Sequence, residues 1–405
     1  MRSVAVLALG MALFSAPVRA DVVTDWNVAS FEVMNAANVA GAPAARALAI
    51  VHVAMADAVN SVQNRYTRYA YKGAVQTSAS AEAAASSAAR SVLLAMFPAQ
   101  RDKIEAAHAA AVAGVADAAA KDAGMKLGEQ AAAAVLADRA NDDSSVPDTY
   151  RPITTPGTWV PTTPPLTAQY ARARPWGFDK PDRFRPGPPP ELASALYARD
   201  YNETKDLGGA RSTQRTAAQT DAVKFWSQAN LTLSWHQAAR QLAAARQMNL
   251  ADCSRTFALM SLGVANTFIV DWDAKFHYNF WRPVTAIRNG DQDNNPATER
   301  DAAWTPLNAT PMHPEYPSQA AIIAGTASAL LAQATGDRNA GPLTLVDSAD
   351  PKLTRTITGL VALAEEQRSV RIWGGIHFRN SLETSERMGR ALAEQALQTL
   401  YTPVR

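Results

Sequence analysis

The chain has 405 residues, 47% of them hydrophobic and 19% charged, which excludes a disordered protein and supplies one large or two medium cores. A net charge of +2 without a Lys/Arg run is too mild to imply nucleic acid or an anionic membrane surface as partner, so any cationic focus has to be local. The lone Cys253 rules out an internal disulfide framework and, with no Cys or His near it in sequence, a metal motif; it reads as a buried thiol.

Residues 1–20 read as a secretory signal: a basic Met1-Arg2 start, an apolar run from Val4 to Phe14, and small residues up to a cut after Ala20. This predicts a periplasmic or secreted protein, with no later segment long and uncharged enough to span a bilayer. Residues 21–141 form an N-terminal helical half, Ala-rich with apolar residues recurring at three and four. It holds a core helix over Ala44 to Val62, and Ser78 to Phe97 with Gln100 to Ala140 supply two or three more, Pro98 marking a break. Residues 142–190 are a Pro-rich connecting segment, extended and turn-rich, which Trp159, Tyr170 and Trp176 should pack onto the surface.

Residues 191–405 form a C-terminal helical half. Helices are predicted over Glu191 to Lys205, Thr213 to Gln228, Leu231 to Met248 and Ala251 to Arg288, then Ser318 to Ala334, Leu353 to Trp373 and Thr384 to Leu400. Between them Gly290 to Thr310 reads as a solvated polar loop. Its Asp291 and Asp293 lack the turn glycine and distal glutamate of an EF-hand calcium loop. The whole reads as all-α.

Three separated segments in this half carry donors that a tetrahedral oxyanion selects: Lys275 with Arg282-Pro283, Pro317-Ser318, and Arg371 with Gly375 and His377. Guanidinium forks give bidentate geometry, an ammonium a point charge, and histidine a nucleophile or metal ligand. Lys275 and Arg282 are seven apart, which on one helix puts them on nearly the same face, with Pro283 as a kink. Ser318 stands where a helix N-cap belongs, a position that also offers N–H groups and a positive dipole end to an anion. Gly374-Gly375 lets backbone approach a ligand closely. His277 falls on another face of its helix, His52 reads as a buttress of the core, and His236 and His108 belong to no constellation.

KFHYNFWRPVTAI (Lys275 to Ile287), MHPEYPS (Met312 to Ser318) and RIWGGIHFRNS (Arg371 to Ser381) resemble three signatures, Lys-x6-Arg-Pro, Pro-Ser-Gly-His and Ser-Arg-x3-Gly-x-His. These belong to vanadium-dependent haloperoxidases and their relatives, the type 2 phosphatidic acid phosphatases and bacterial class A acid phosphatases. The likeness extends through Phe184 to Lys205, Arg215 to Trp226 and Arg46 to Asn60. It implies helical bundles and a vanadate cofactor on His377, with Lys275, Arg282, Ser318, Arg371, Gly375 and the Gln319 backbone N–H around the oxyanion; in the phosphatases the same histidine is phosphorylated instead. One departure is clear: the Gly-His of the second signature is Gln319-Ala320 here, so the family's acid/base histidine is a methyl group. His313, five residues before Ser318, is the candidate replacement beside His377 and Lys275 as catalytic residues. Family members often support the metal-ligating histidine with a nearby Asp, but Asn380 and Ser381 follow His377, which leaves its partner unassigned. Three functions stay open: oxidation of a halide by hydrogen peroxide with a small organic acceptor, hydrolysis of a phosphate ester, or loss of both in a remodelled pocket.

Overall fold

In a computed structural model the described residues are 21–404 apart from 162, 348 and 349, so the predicted leader lies outside them. Among these residues the fold is all-α with one small hairpin. The first half holds α1 (Val22–Ala36), α2 (Gly41–Gln63), α3 (Ala81–Met96), α4 (Arg101–Val112) and α5 (Ala118–Asp138). The second holds α6 (Ala195–Gly208), α7 (Ala217–Gln228), α8 (Leu231–Ala245), α9 (Leu250–Tyr278), α10 (Pro283–Arg288), α11 (Gln319–Thr335), α12 (Leu360–Trp373) and α13 (Arg379–Thr399). Strands β1 (Leu343–Val346) and β2 (Thr354–Ile357) pair antiparallel, Leu343 opposite Ile357.

Helix starts follow local chemistry. Asp21, Ser80, Asp117, Ser194, Thr216, Asn230 and Asn249 each accept a first-turn N–H through the side chain. The centre is α2 against α9, with α3 and α5 on one side and α11 and α13 on the other. Both central helices are apolar all round because protein surrounds them. This corrects one expectation: α2 and α9 do reach membrane-spanning length and hydropathy, but 89% and 94% of their most apolar windows are buried inside the protein. Cys253 is buried in α9. At the crossing of α11 and α13 a Cβ on Gly325 would lie 2.7 Å from Glu386 O, so the backbones meet directly there.

Three other boundaries differ from the sequence reading. The helix predicted through Arg288 ends at Tyr278, because Asn279 adopts the left-handed conformation (φ 50°) and its N–H closes on Lys275 O. The stretch from Leu353 is not helical at first: β-branched Thr354, Thr356 and Ile357 form β2 and the helix starts at Leu360. The loop after α10 is not merely solvated, since Asp293 is buried and accepts from Asn295 N (2.9 Å) and Thr298 Oγ1 (2.8 Å).

The Pro-rich segment is pinned down, as its aromatics required: Trp159, Tyr170 and Trp176 are buried. Trp159 N donates to Asn279 O (2.7 Å), and the Asn266 side chain bonds both N and O of Trp176 (2.8 and 2.9 Å). Leu166 O accepts from Trp272 Nε1 (2.9 Å) and Leu166 N donates to Met312 O (3.2 Å), which ties the segment to the loop before α11.

Candidate oxyanion site

Helix ends converge here. Lys275 sits in the last turn of α9, Arg282 at the N-cap of α10, Ser318 at the N-cap of α11, Arg371 in the last turn of α12, and His377 just before α13. The turn between Arg371 and His377 needs glycine: Gly375 has φ +75°, and a Cβ there would lie 2.5 Å from Gly208 O. Conversely, a Cβ on Gly208, at the end of α6, would strike Gly375 Cα.

Lys275 and Arg282 come together by a turn, not by helical phase. Arg282 is buried with four of its five N–H groups engaged. Nε donates to His313 O (2.9 Å), Nη1 to Ile376 O (2.7 Å) and His377 Nε2 (3.0 Å), and Nη2 to His313 Nδ1 (3.1 Å). Lys275 is fully buried and its ammonium meets three carbonyls, those of Pro314 (2.8 Å), Glu315 (3.1 Å) and Pro317. It therefore has no N–H left over, and its direct action is to clamp the 314–317 loop.

His377 receives its orientation from Glu315, which sequence reasoning had not singled out. The buried Glu315 accepts from His377 Nδ1 (2.8 Å), Phe378 N (2.9 Å) and Ser381 Oγ (2.6 Å). A guanidinium can only donate, so the Nε2 facing Arg282 carries the lone pair and the proton sits on Nδ1. The only hint was the carboxylate inside MHPEYPS; a partner 62 residues away leaves no local pattern. His313 Nδ1 faces both Arg282 Nη2 (3.1 Å), from which it can only accept, and Pro314 O (3.3 Å), to which it can only donate, so these contacts fix no tautomer. Packed at a tilt against Trp272 (5.0 Å between ring centroids) and kept neutral by burial and by Arg282, His313 is poorly placed to take up protons.

Around this cluster several buried donors have no partner: Ser318 Oγ, Gln319 Nε2 and Arg371 Nε. Ser318 holds the N-cap position without a side-chain cap bond, and its own N–H goes to Ser385 Oγ (2.7 Å). Both Asp271 oxygens also lack a hydrogen bond, although Lys275 Nζ lies 3.7 Å away. Ala320 is buried and inert. Away from the site, His52 and His236 stack at 6.2 Å, so His236 does belong to a cluster; His277 is exposed.

Three cations, Lys275, Arg282 and Arg371, thus face two carboxylates, Asp271 and Glu315. Burial pushes Asp271 and Glu315 up to about 7, only partly offset by the nearby cations, and pulls Lys275 down to about 8. Burial first, then Arg282 and Lys275, hold His377 and His313 well below the ordinary imidazole range, so both are neutral. The site is a net positive, buried cluster with unused donors and an imidazole lone pair directed at Arg282. Such a donor set fits a tetrahedral oxyanion, vanadate included: Arg371, Ser318, Gln319 and the last Arg282 N–H would donate to its oxygens, and His377 Nε2 would hold it once Arg282 Nη1 gives up that nitrogen.

Residues 255–405 match the family described as the VCPO second helical-bundle domain. Vanadium chloroperoxidase of Curvularia inaequalis is 26% identical over 176 residues, which span 36% of this chain and 28% of that protein. In three dimensions the chain is similar to the first bacterial vanadium-dependent iodoperoxidase (TM-score 0.78, 22% identity, 94% of this chain and 97% of that one). It is also similar to a holo-type bacterial vanadium-dependent chloroperoxidase (TM-score 0.70, 18% identity, 95% of this chain and 94% of that one).

Proposed function

We propose that this chain, a member of the vanadium-dependent haloperoxidase family, binds vanadate and uses hydrogen peroxide to oxidise a halide, with a small organic acceptor downstream. The observation that carries this reading is the set of unpaired buried donors, Ser318 Oγ, Gln319 Nε2 and Arg371 Nε, together with a neutral His377 whose Nε2 lone pair is directed at Arg282. Vanadate, when bound, supplies a metal centre that activates peroxide towards halide. Glu315 holds the proton on Nδ1 and so keeps Nε2 available as ligand. Arg371, Ser318 and Gln319 supply hydrogen bonds to oxygens, the first with a full positive charge. Lys275 fixes the loop that presents Ser318, and its charge still lowers the energy of an anion nearby.

The alternative, an acid phosphatase with His377 as nucleophile, uses the same atoms. Ala320 bears on both readings, because a methyl group can give a proton neither to a departing alkoxide nor in peroxide activation, and it is the residue that favours a remodelled pocket. Export through the leader at residues 1–20 belongs to the same proposal. The test is one purified sample assayed three ways: vanadate binding by vanadium NMR, iodide- or bromide-dependent peroxide consumption, and hydrolysis of p-nitrophenyl phosphate. Tight vanadate binding with vanadate-dependent halide oxidation supports the proposal. Phosphate-ester turnover without halide oxidation gives the phosphatase, and neither activity gives a remodelled pocket.

A further inference from the structure

Helices α1 and α8, with the start of α2, enclose a second cleft of about 260 Å³, lined by Phe31, Met34, Val39 and Leu233 on its apolar side and by Arg240, Glu32, Asn35 and Asn230 on its polar side. Arg240 is half-buried and makes one side-chain hydrogen bond, from Nη1 to Asn27 Oδ1 (2.5 Å). Asn27 is fully buried and held in place by His52 Nε2 (2.9 Å), so its oxygen is fixed towards Arg240. No carboxylate of the described residues lies within ion-pairing distance of the guanidinium. Burial pulls its pKa down to about 10 with no acid restoring it, Glu32 included. A cation against apolar walls, with most of its donors unused, is the complement of an anion carrying an apolar body.

We propose that this cleft binds an amphipathic monocarboxylate, its carboxylate on the Arg240 fork and its aliphatic or aryl tail against Phe31, Met34, Val39 and Leu233. One cation with the acidic Glu32 close by favours a single negative charge over a dianion such as phosphate. The site is separate from the oxyanion pocket, so binding requires neither vanadate nor turnover.

Octanoate is the probe, titrated into the protein by calorimetry without vanadate, peroxide or halide, with octanol as the neutral control. One octanoate should bind, and Arg240→Met should weaken it roughly 10- to 100-fold, the loss expected for a charge-assisted pair. Octanol should bind weakly and equally to both proteins, Arg240→Lys should keep part of the octanoate affinity, and Leu233→Gln should weaken octanoate and octanol alike. Helical circular dichroism confirms that each variant is folded. If wild type takes up no octanoate at millimolar concentration, or if Arg240→Met and Arg240→Lys both bind it as wild type does, the assignment is wrong.

Discussion

Replacing Glu315 with Gln separates the two things that this carboxylate does. It accepts from His377 Nδ1, Phe378 N and Ser381 Oγ at 2.8, 2.9 and 2.6 Å, and an amide has only one acceptor oxygen. If the amide oxygen faces His377, the tautomer survives but the bond loses its charge, and Ser381 has to turn from donor to acceptor. If the NH2 faces His377, the imidazole proton is driven to Nε2 and the ligand lone pair is lost. Charge-assisted bonds are about twice as strong as neutral ones, and losing an outer partner of a metal-bound histidine costs ~10- to 100-fold in affinity. The vanadate dissociation constant should rise by that factor. Stability should move the other way with pH. Burial raises Glu315 from 4.5 to about 7 in the folded state, so its contribution to stability is fully present below pH 4.5 and is lost as pH rises through about 7. Glutamine does not titrate, so the Tm difference, variant minus wild type, should grow more positive from about pH 4.5 to about pH 8. Vanadium NMR titration and thermal melts read the two effects. A variant that binds vanadate as tightly as wild type would refute the tautomer argument, and a Tm difference flat with pH would refute the buried-carboxylate argument.

Ser318→Ala should weaken vanadate ~10- to 100-fold, the scale of one hydrogen bond to a charged group, yet leave thermal stability nearly unchanged because Oγ caps nothing. A large fall in Tm would show that the hydroxyl is structural. Asp271, raised by burial from 3.8 to about 7, stabilises the fold below 3.8 and loses that contribution through about 7. Asp271→Asn should therefore gain stability relative to wild type between about pH 4 and pH 8, measured by melts at each pH. Restoring the signature with Gln319→Gly and Ala320→His should raise halide oxidation at saturating vanadate by one or more orders of magnitude, as a positioned acid/base group does, although vanadate binding loses the Gln319 amide donor. No gain in turnover would mean that another group already supplies the proton step.

Much of the fold was legible because helical periodicity is local: the α2 core helix and the start of α8 at Leu231 follow from neighbours in sequence. The break at Asn279 was not, since Pro283 was the louder signal and the residue that stops the helix is an Asn in a left-handed turn. Strand β2 is four residues long, too short for a period to declare itself. In the site, residue types pointed to an oxyanion, but which donors remain free is set by backbone carbonyls. The three that surround Lys275 carry no sequence signature, and neither does the distance that joins Glu315 to His377.

The contact between Gly208 and Gly375 constrains how this lineage can vary. Each glycine occupies the space that the other's β-carbon would need, so no single substitution at either position is cheap, and substituting both adds one obstruction to the other. Ordinary compensation, a small residue here for a large one there, has no route through such a pair. Mutational drift in α6 is thus coupled to the turn that carries His377, and a library randomised at the two positions should return glycine at both among active clones. The position of His377 is thereby set at a place where two backbones touch, with no side chain of either residue taking part.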